Sequence, residues 1–160
     1  MKHQFDEQTL TRLRSFYDAS ACLLDEMALE TWAELFTETA RYRVVSRENF
    51  DQGLPHATIY CHGLSMLRDR ILAIRKALVF EERHLRRMIS SVRINDRQGE
   101  TLSTQASFLV IESFSDALPE IGLVGRYIDE LIDTGESFRI SSRDCVFDNY
   151  WTPRSVVVPV

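Results

Sequence analysis

The sequence predicts an α+β fold in which a curved, mostly antiparallel sheet wraps a long N-terminal helix. Three observations carry this. In the first half, apolar residues recur at three- and four-residue steps, the helical period; from residue 84 onward the period is two, that of strands. Turn signals divide the second half: Asn95-Asp96 with Gly99, Asp116 to Pro119, and Thr134-Gly135. Gly122 and Gly125 fall inside a strand pattern, where glycine marks a bulge or a bend. Helices followed by an antiparallel meander is the α+β order. Such elements fit a cone, with the sheet around the helix and a pocket at the open end. The 160 residues are the size of one domain, and 44% hydrophobic content supports a core.

Taken in order, residues 6–29 read as the long helix. Leu10, Leu13, Tyr17, Ala21, Leu24 and Ala28 form one stripe, which Phe16, Leu23 and Met27 widen. A short helix follows, with Thr31 and Glu34 at capping-box spacing and Trp32, Leu35 and Phe36 as its apolar face. "ARYRVV" turns to strand, a polar loop covers 46–56, and "ATIYC" is a brief second strand. Ser65 is placed to cap a helix over 66–80 with Leu67, Ile71, Ile74 and Leu78 on one face. Four long strands then run over "HLRRMISSVRI", "TLSTQASFLVIES", "IGLVGRYIDEL" and "ESFRISSRDCVFDNYW".

Charge and composition exclude several classes. The net charge is −5 and no basic block stands clear of acids, so a nucleic-acid partner is not expected. "RHLRR" at 83–87 is the most basic stretch, but two glutamates precede it, which reads as a solvated or interface segment. No apolar run approaches the ~20 residues of a membrane span. The opening "MKHQFDEQTLTRLR" lacks the apolar stretch of a secretory signal, so a cytoplasmic location is expected. Cys22, Cys61 and Cys145 are odd in number and widely spaced, the pattern of buried reduced thiols.

The chemistry-bearing residues give two sharp hypotheses. Asp51, His56 and His62 are the residue types of a two-histidine, one-carboxylate iron site, but they lie on a Pro/Gly loop rather than on rigid elements. A Rieske cluster needs two close Cys/His pairs, and Cys61-His62 is a single pair. Alternatively, Asp25, Tyr42 and His84 could converge in the cone as base, hydrogen-bond donor and acid. Ser–His–Asp, G-x-S-x-G, P-loop and G-x-G-x-x-G patterns are absent. The sequence also closes on "WTPRSVVVPV", and so apolar an end needs cover, either from its own sheet or from a partner chain.

Three stretches and their order carry a family resemblance: "LLDEMALETWAELFTETARYRVVSRENFDQGL", "MLRDRILAIRKALVFEERHLRRMISSVRI", and "CVFDNYW" with the apolar end. Over nearly its whole length the chain resembles the small (beta) subunit of an aromatic ring-hydroxylating oxygenase, nearest to terephthalate, anthranilate and salicylate systems. The resemblance implies the cone fold of nuclear transport factor two and scytalone dehydratase. It implies a scaffolding role, with no catalytic, cofactor or metal residues in this chain. The Rieske [2Fe–2S] cluster and the mononuclear iron are expected in the large (alpha) subunit, with electrons from NADH through a reductase. Three large and three small chains are the expected assembly, with the small chains contacting one another in a trimer as well as the large chains. The expected contact surface comprises Arg47, Glu48, Asp51 and His56 of the 46–56 loop and the valines Val156, Val157, Val158 and Val160. The rival expectation is a freestanding lyase or isomerase using Asp25, Tyr42 and His84, as in scytalone-dehydratase-like enzymes.

Overall fold

A computed structural model describes residues 6–76, 82–151 and 155–160. Among the described residues, four helices, α1 (Glu7–Asp25), α2 (Leu29–Ala33), α3 (Arg47–Asp51) and α4 (Leu64–Lys76), accompany six strands: β1 (Phe36–Ser46), β2 (Ile59–His62), β3 (His84–Gln98), β4 (Thr101–Ser113), β5 (Glu120–Asp133) and β6 (Phe138–Phe147). The strands form one sheet in the order β2-β1-β6-β5-β4-β3. All neighbours are antiparallel except β1 and β6, which run parallel and join the N-terminal part to the meander. Among the described residues no helix is long and apolar enough to cross a membrane.

The long helix starts where its cap is strongest. The Asp6 carboxylate accepts the Thr9 amide at 2.7 Å and the Thr9 hydroxyl at 2.7 Å. It ends four residues earlier than expected, as Met27 takes a left-handed φ of 57°. Its inner face buries Leu13, Phe16, Tyr17, Ser20, Ala21 and Leu24 against the concave side of the sheet.

Several local expectations change. The short helix begins after Ala28, with no side-chain cap, so Thr31 and Glu34 form no capping box. Phe36 opens β1 instead of closing that helix, because its ring is needed in the aromatic core between Trp32 and Tyr42. Ser65 lies inside α4; Gly63, at φ 86°, makes the turn before it. Leu78 falls outside the described residues. The 46–56 loop contains α3, nucleated by Ser46, whose hydroxyl accepts the Asn49 amide at 3.3 Å. The last strand stops at Phe147, short of the Tyr150-Trp151 end.

The curvature arises where glycine predicted it. Val110 pairs with Leu123 but Ile111 with Ile121, so Gly122 is the extra residue of a bulge. Gly125 lies so close to β6 that an added Cβ would sit 2.1 Å from the Val146 carbonyl oxygen. A further shift, at Glu130/Leu131, makes Ser141 the odd residue on β6, and its hydroxyl donates to the Glu130 carbonyl at 2.9 Å. Past that bulge, Arg143 and Cys145 are buried beside Asp129 and Tyr127 of β5.

Candidate functional site

Two places in this fold have the makings of a site: the interior and mouth of the cone, and a groove outside it. The interior holds an ion pair. Arg143 on β6 and Asp129 on β5 meet at 2.7 Å with side chains 1% and 0% exposed. The Tyr17 hydroxyl donates to Asp129 at 2.8 Å and lies 2.9 Å from the Thr104 hydroxyl. Arg143 also reaches Ser20 and lies over the rings of Tyr127 and Tyr17. Burial pushes the Asp129 carboxyl up, while Arg143 and the Tyr17 hydroxyl hold it down. Burial opposes the Arg143 charge, but the adjacent carboxylate more than offsets this, so the guanidinium stays ionised. The network is supplied by α1, β4, β5 and β6, and Tyr17, Thr104, Asp129 and Arg143 are each no more than 1% exposed.

Nearer the mouth, Asp25 at the end of α1 accepts Arg87 Nη1 at 2.7 Å and the Arg87 amide at 3.1 and 3.2 Å. Tyr42, in the middle of β1, is fully buried, and its phenol is raised well above the ordinary value by that burial. It accepts the Val160 amide at 2.8 Å and lies 3.4 Å from the Val160 carbonyl oxygen. Arg87 donates its other nitrogen to the Pro159 carbonyl. Asp25 and Tyr42 are linked through the same segment: Asp25 holds Arg87, which donates to Pro159, and Tyr42 bonds Val160. His84 is exposed at the head of β3, opposite Ser113.

Of the two sources of cover that the sequence leaves open for the valine-rich end, the chain's own core supplies it for Val158 and Val160, which are 5% and 2% exposed; Val156 and Val157 are half-buried. The "RHLRR" stretch is not uniformly surface. Strand alternation turns Arg87 inward, with Arg83 also covered, and leaves His84 and Arg86 outside. Of the cysteines, Cys61 and Cys145 are buried but Cys22 is exposed.

The outer groove has a volume of about 920 Å³ and lies between α3, the end of β6, residues 148–151 and residues 155–156. Arg47 reaches Asp51 at 3.7 Å and Asp148 at 3.4 Å, and Arg126 reaches Asp51 at 3.8 Å. Phe50 pins α3 to the sheet, with the guanidinium groups of Arg43 and Arg126 within 6.0 Å of its ring. Asn149 continues the ladder with its side chain, accepting the Val124 amide at 3.0 Å and donating to the Gly122 carbonyl at 3.1 Å. With Asn149 held there, Tyr150 and Trp151 stand 102% and 84% exposed. His56 is exposed, and its carbonyl accepts Asn49 Nδ2. Asp51, His56 and His62 do not form a ligand set: among the described residues no three His, Cys, Asp or Glu side chains converge to hold a metal ion.

Comparison with known proteins agrees with this geometry. The family model described as the ring hydroxylating beta subunit matches residues 19–153. The chain is 30% identical over 137 residues to the anthranilate 1,2-dioxygenase small subunit of Burkholderia cepacia, covering 86% of this chain and 85% of the relative. It is 26% identical over 149 residues to subunit beta 2 of the terephthalate 1,2-dioxygenase terminal oxygenase component of Comamonas, covering 93% and 97%. A crystal structure from Novosphingobium aromaticivorans, assigned as the beta subunit of an aromatic-ring-hydroxylating dioxygenase, superposes with a TM-score of 0.87 at 32% identity, covering 96% of this chain and 98% of that one. A protein of the same organism assigned as a scytalone dehydratase has a TM-score of 0.70 at 15% identity, with 96% and 93% covered, and shares the cone fold alone. With 19–153 matched to the family and its fold reproduced end to end, the chain belongs to the ring-hydroxylating beta subunits, the small subunits of aromatic ring-hydroxylating dioxygenases.

Proposed function

We propose that this chain is the non-catalytic subunit of an NADH-dependent ring-hydroxylating mono- or dioxygenase acting on a benzoate-like aromatic acid in the cytoplasm. The anthranilate and terephthalate relatives support that substrate class. The observation that carries the non-catalytic role is the filled cone: Asp25 is bound to Arg87, and Tyr42 to Val160. A freestanding lyase or isomerase would need those groups free to meet a substrate, with His84 beside them.

In this reading the large subunit carries the Rieske cluster and the mononuclear iron, and the small chains hold three large subunits in register as part of an assembly of three and three. The contact surface is the outer groove. Arg47, Glu48 and Asp51 rim it, His56 is exposed on the same 46–56 loop, and Tyr150 and Trp151 are the apolar anchors the sequence expectation lacked. Exposed aromatics beside paired charges are what an interface hot spot requires; the charges set register, since exposed ion pairs are worth only about 0–1 kcal/mol.

The test is reconstitution. The purified chain is expected to hold no stoichiometric iron and to turn over no aromatic acid with reductase and NADH until the large subunit is added. Trp151→Ala should leave the thermal midpoint of the isolated chain nearly unchanged and weaken its complex with the large subunit at least tenfold, read by sedimentation. Tight binding of one iron per chain, or unchanged assembly in both Trp151→Ala and Tyr150→Ala, would overturn the respective half of the reading.

A further inference from the structure

Residues 155–160 occupy the mouth of the cone without joining its sheet. Side chains hold them instead. Arg83 Nη2 donates to the Ser155 carbonyl at 3.0 Å, Arg70 Nη2 to the Val157 carbonyl at 3.0 Å, and Arg87 to the Pro159 carbonyl. The gripped carbonyls are those of Ser155, Val157 and Pro159, and the last three residues, Val158, Pro159 and Val160, are buried, with a bend at Val158. The segment is thus held by side-chain donors to its backbone and by burial of its apolar end, in place of ladder hydrogen bonds.

The donor wall is fixed by the protein itself. Arg87 is held by Asp25 at 2.7 Å, and Arg83 lies 3.7 Å from Glu112. Tyr42 is locked edge-on between Trp32 and Phe36. Pro159 lacks an amide hydrogen, so the segment cannot extend a ladder through that position and depends on side-chain contacts. A void of only about 20 Å³ remains between segment and wall, so the fit is close.

We propose that the mouth of the cone is a binding groove for a short apolar peptide segment, filled in cis by residues 155–160, and that it releases this segment by local opening while the sheet stays folded. Cys145 reports the event. It is fully buried and its thiol lies 3.6 Å from the Val160 carbonyl oxygen. Burial pushes the Cys145 thiol up to about 12, so it is unreactive while covered. Cys61, on β2, is also buried and serves as the internal reference for global unfolding.

The experiment uses the full chain carrying Val158→Asp, which sets a carboxylate in an apolar pocket. A small thiol reagent should label Cys145 at least tenfold faster than in the wild type, with Cys61 unchanged. A synthetic peptide of residues 155–160 at millimolar concentration should slow Cys145 labelling towards the wild-type rate; the same peptide with Asp in place of Val158 should not. The proposal fails if Cys145 and Cys61 accelerate together, if the peptide gives no protection, or if benzoate protects where the peptide does not. Hydrogen exchange of the wild-type chain decides the matter if the variant does not fold. The Val160 amide should exchange well ahead of the Leu131 amide and with weaker denaturant dependence; identical behaviour of the two would overturn local opening.

Discussion

The two buried arginine–aspartate pairs of the cone are alike in length and differ in what completes them. Arg143–Asp129 and Arg87–Asp25 both close at 2.7 Å, and the arginine side chain is 1% exposed in each. Around the first, the remaining hydrogen bonds come from Tyr17 and Ser20 of α1, and two tyrosine rings cover the guanidinium. Around the second, one arginine nitrogen goes to Pro159, on a segment outside the sheet. The first pair thus ties helix to sheet with groups that move only when the fold does. The second is finished by a part of the chain that lies outside the sheet and is held by side chains. Identical ion-pair chemistry is architectural in one place and a latch in the other.

Breaking the inner pair should have the largest effect. Asp129→Ala strands a guanidinium in the core, and removing one partner of a buried pair costs about 3–5 kcal/mol. For a chain of this size that is a large share of total stability. Urea unfolding should show it, or the variant should fail to accumulate folded. The double change Asp129→Leu with Arg143→Met should recover most of the loss, since apolar replacement of both partners leaves no orphan charge. If the double variant is as unstable as the single one, the hydrogen bonds to Tyr17 and Ser20, and not the charge, hold the inner cone together.

Arg87→Met should do less. Asp25 keeps the backbone amide at residue 87 and has Arg86 at 3.9 Å, so its carboxylate is not left bare. The expected loss is about 2 kcal/mol, the scale of a hydrogen bond to a charged group. Its signature is local: faster Cys145 labelling with little change in Cys61. A uniform loss of protection would make the two pairs equivalent and erase the distinction drawn between them.

This contrast also marks how much of the molecule was legible beforehand. The strands, the long helix and the bend at Gly122 could be read because they repeat a period over many residues or require a special backbone. The inner pair had a signal that went unread. Leu123, Gly125, Tyr127, Asp129 and Leu131 share one strand face, so Asp129 stood on the apolar side of its own alternation. Arg143 was hidden by the bulge at Ser141, which resets the alternation of β6 and leaves no composition mark. The same parity in "RHLRR" separates inward Arg83 and Arg87 from outward His84 and Arg86. The valine-rich end declared that it needed cover but not from where, because hydrophobic burial is non-directional. Only the arginine donors, distant in sequence, decide that the cone itself supplies it. The five residues of α3 were too few to show a period; its mark was the single cap at Ser46.

A third pair sets the lower end of the scale. Arg75, in the last turn of α4, grips Glu30 of α2 with two bonds of 3.0 and 2.9 Å, and also donates to the Met27 carbonyl. Its geometry is as good as that of the buried pairs, but the side chains are 38% and 63% exposed. The Arg75 hydrogen bonds hold the Glu30 carboxyl at about 2, below its ordinary 4.5. A carboxyl lowered in the folded state stabilises fully above its unfolded value and loses that contribution as pH falls through the folded one. Glu30→Gln should therefore cost no more than about 1 kcal/mol at neutral pH, since water screens the pair. The gap between wild type and variant should narrow as pH falls from 4.5 towards 2. One molar salt should narrow it too, while leaving the Asp129→Ala deficit in place, because ions screen exposed charges and do not reach the cone interior. A Glu30→Gln deficit that does not narrow as pH falls to 2 would show that the charge on Glu30 is not what stabilises this corner.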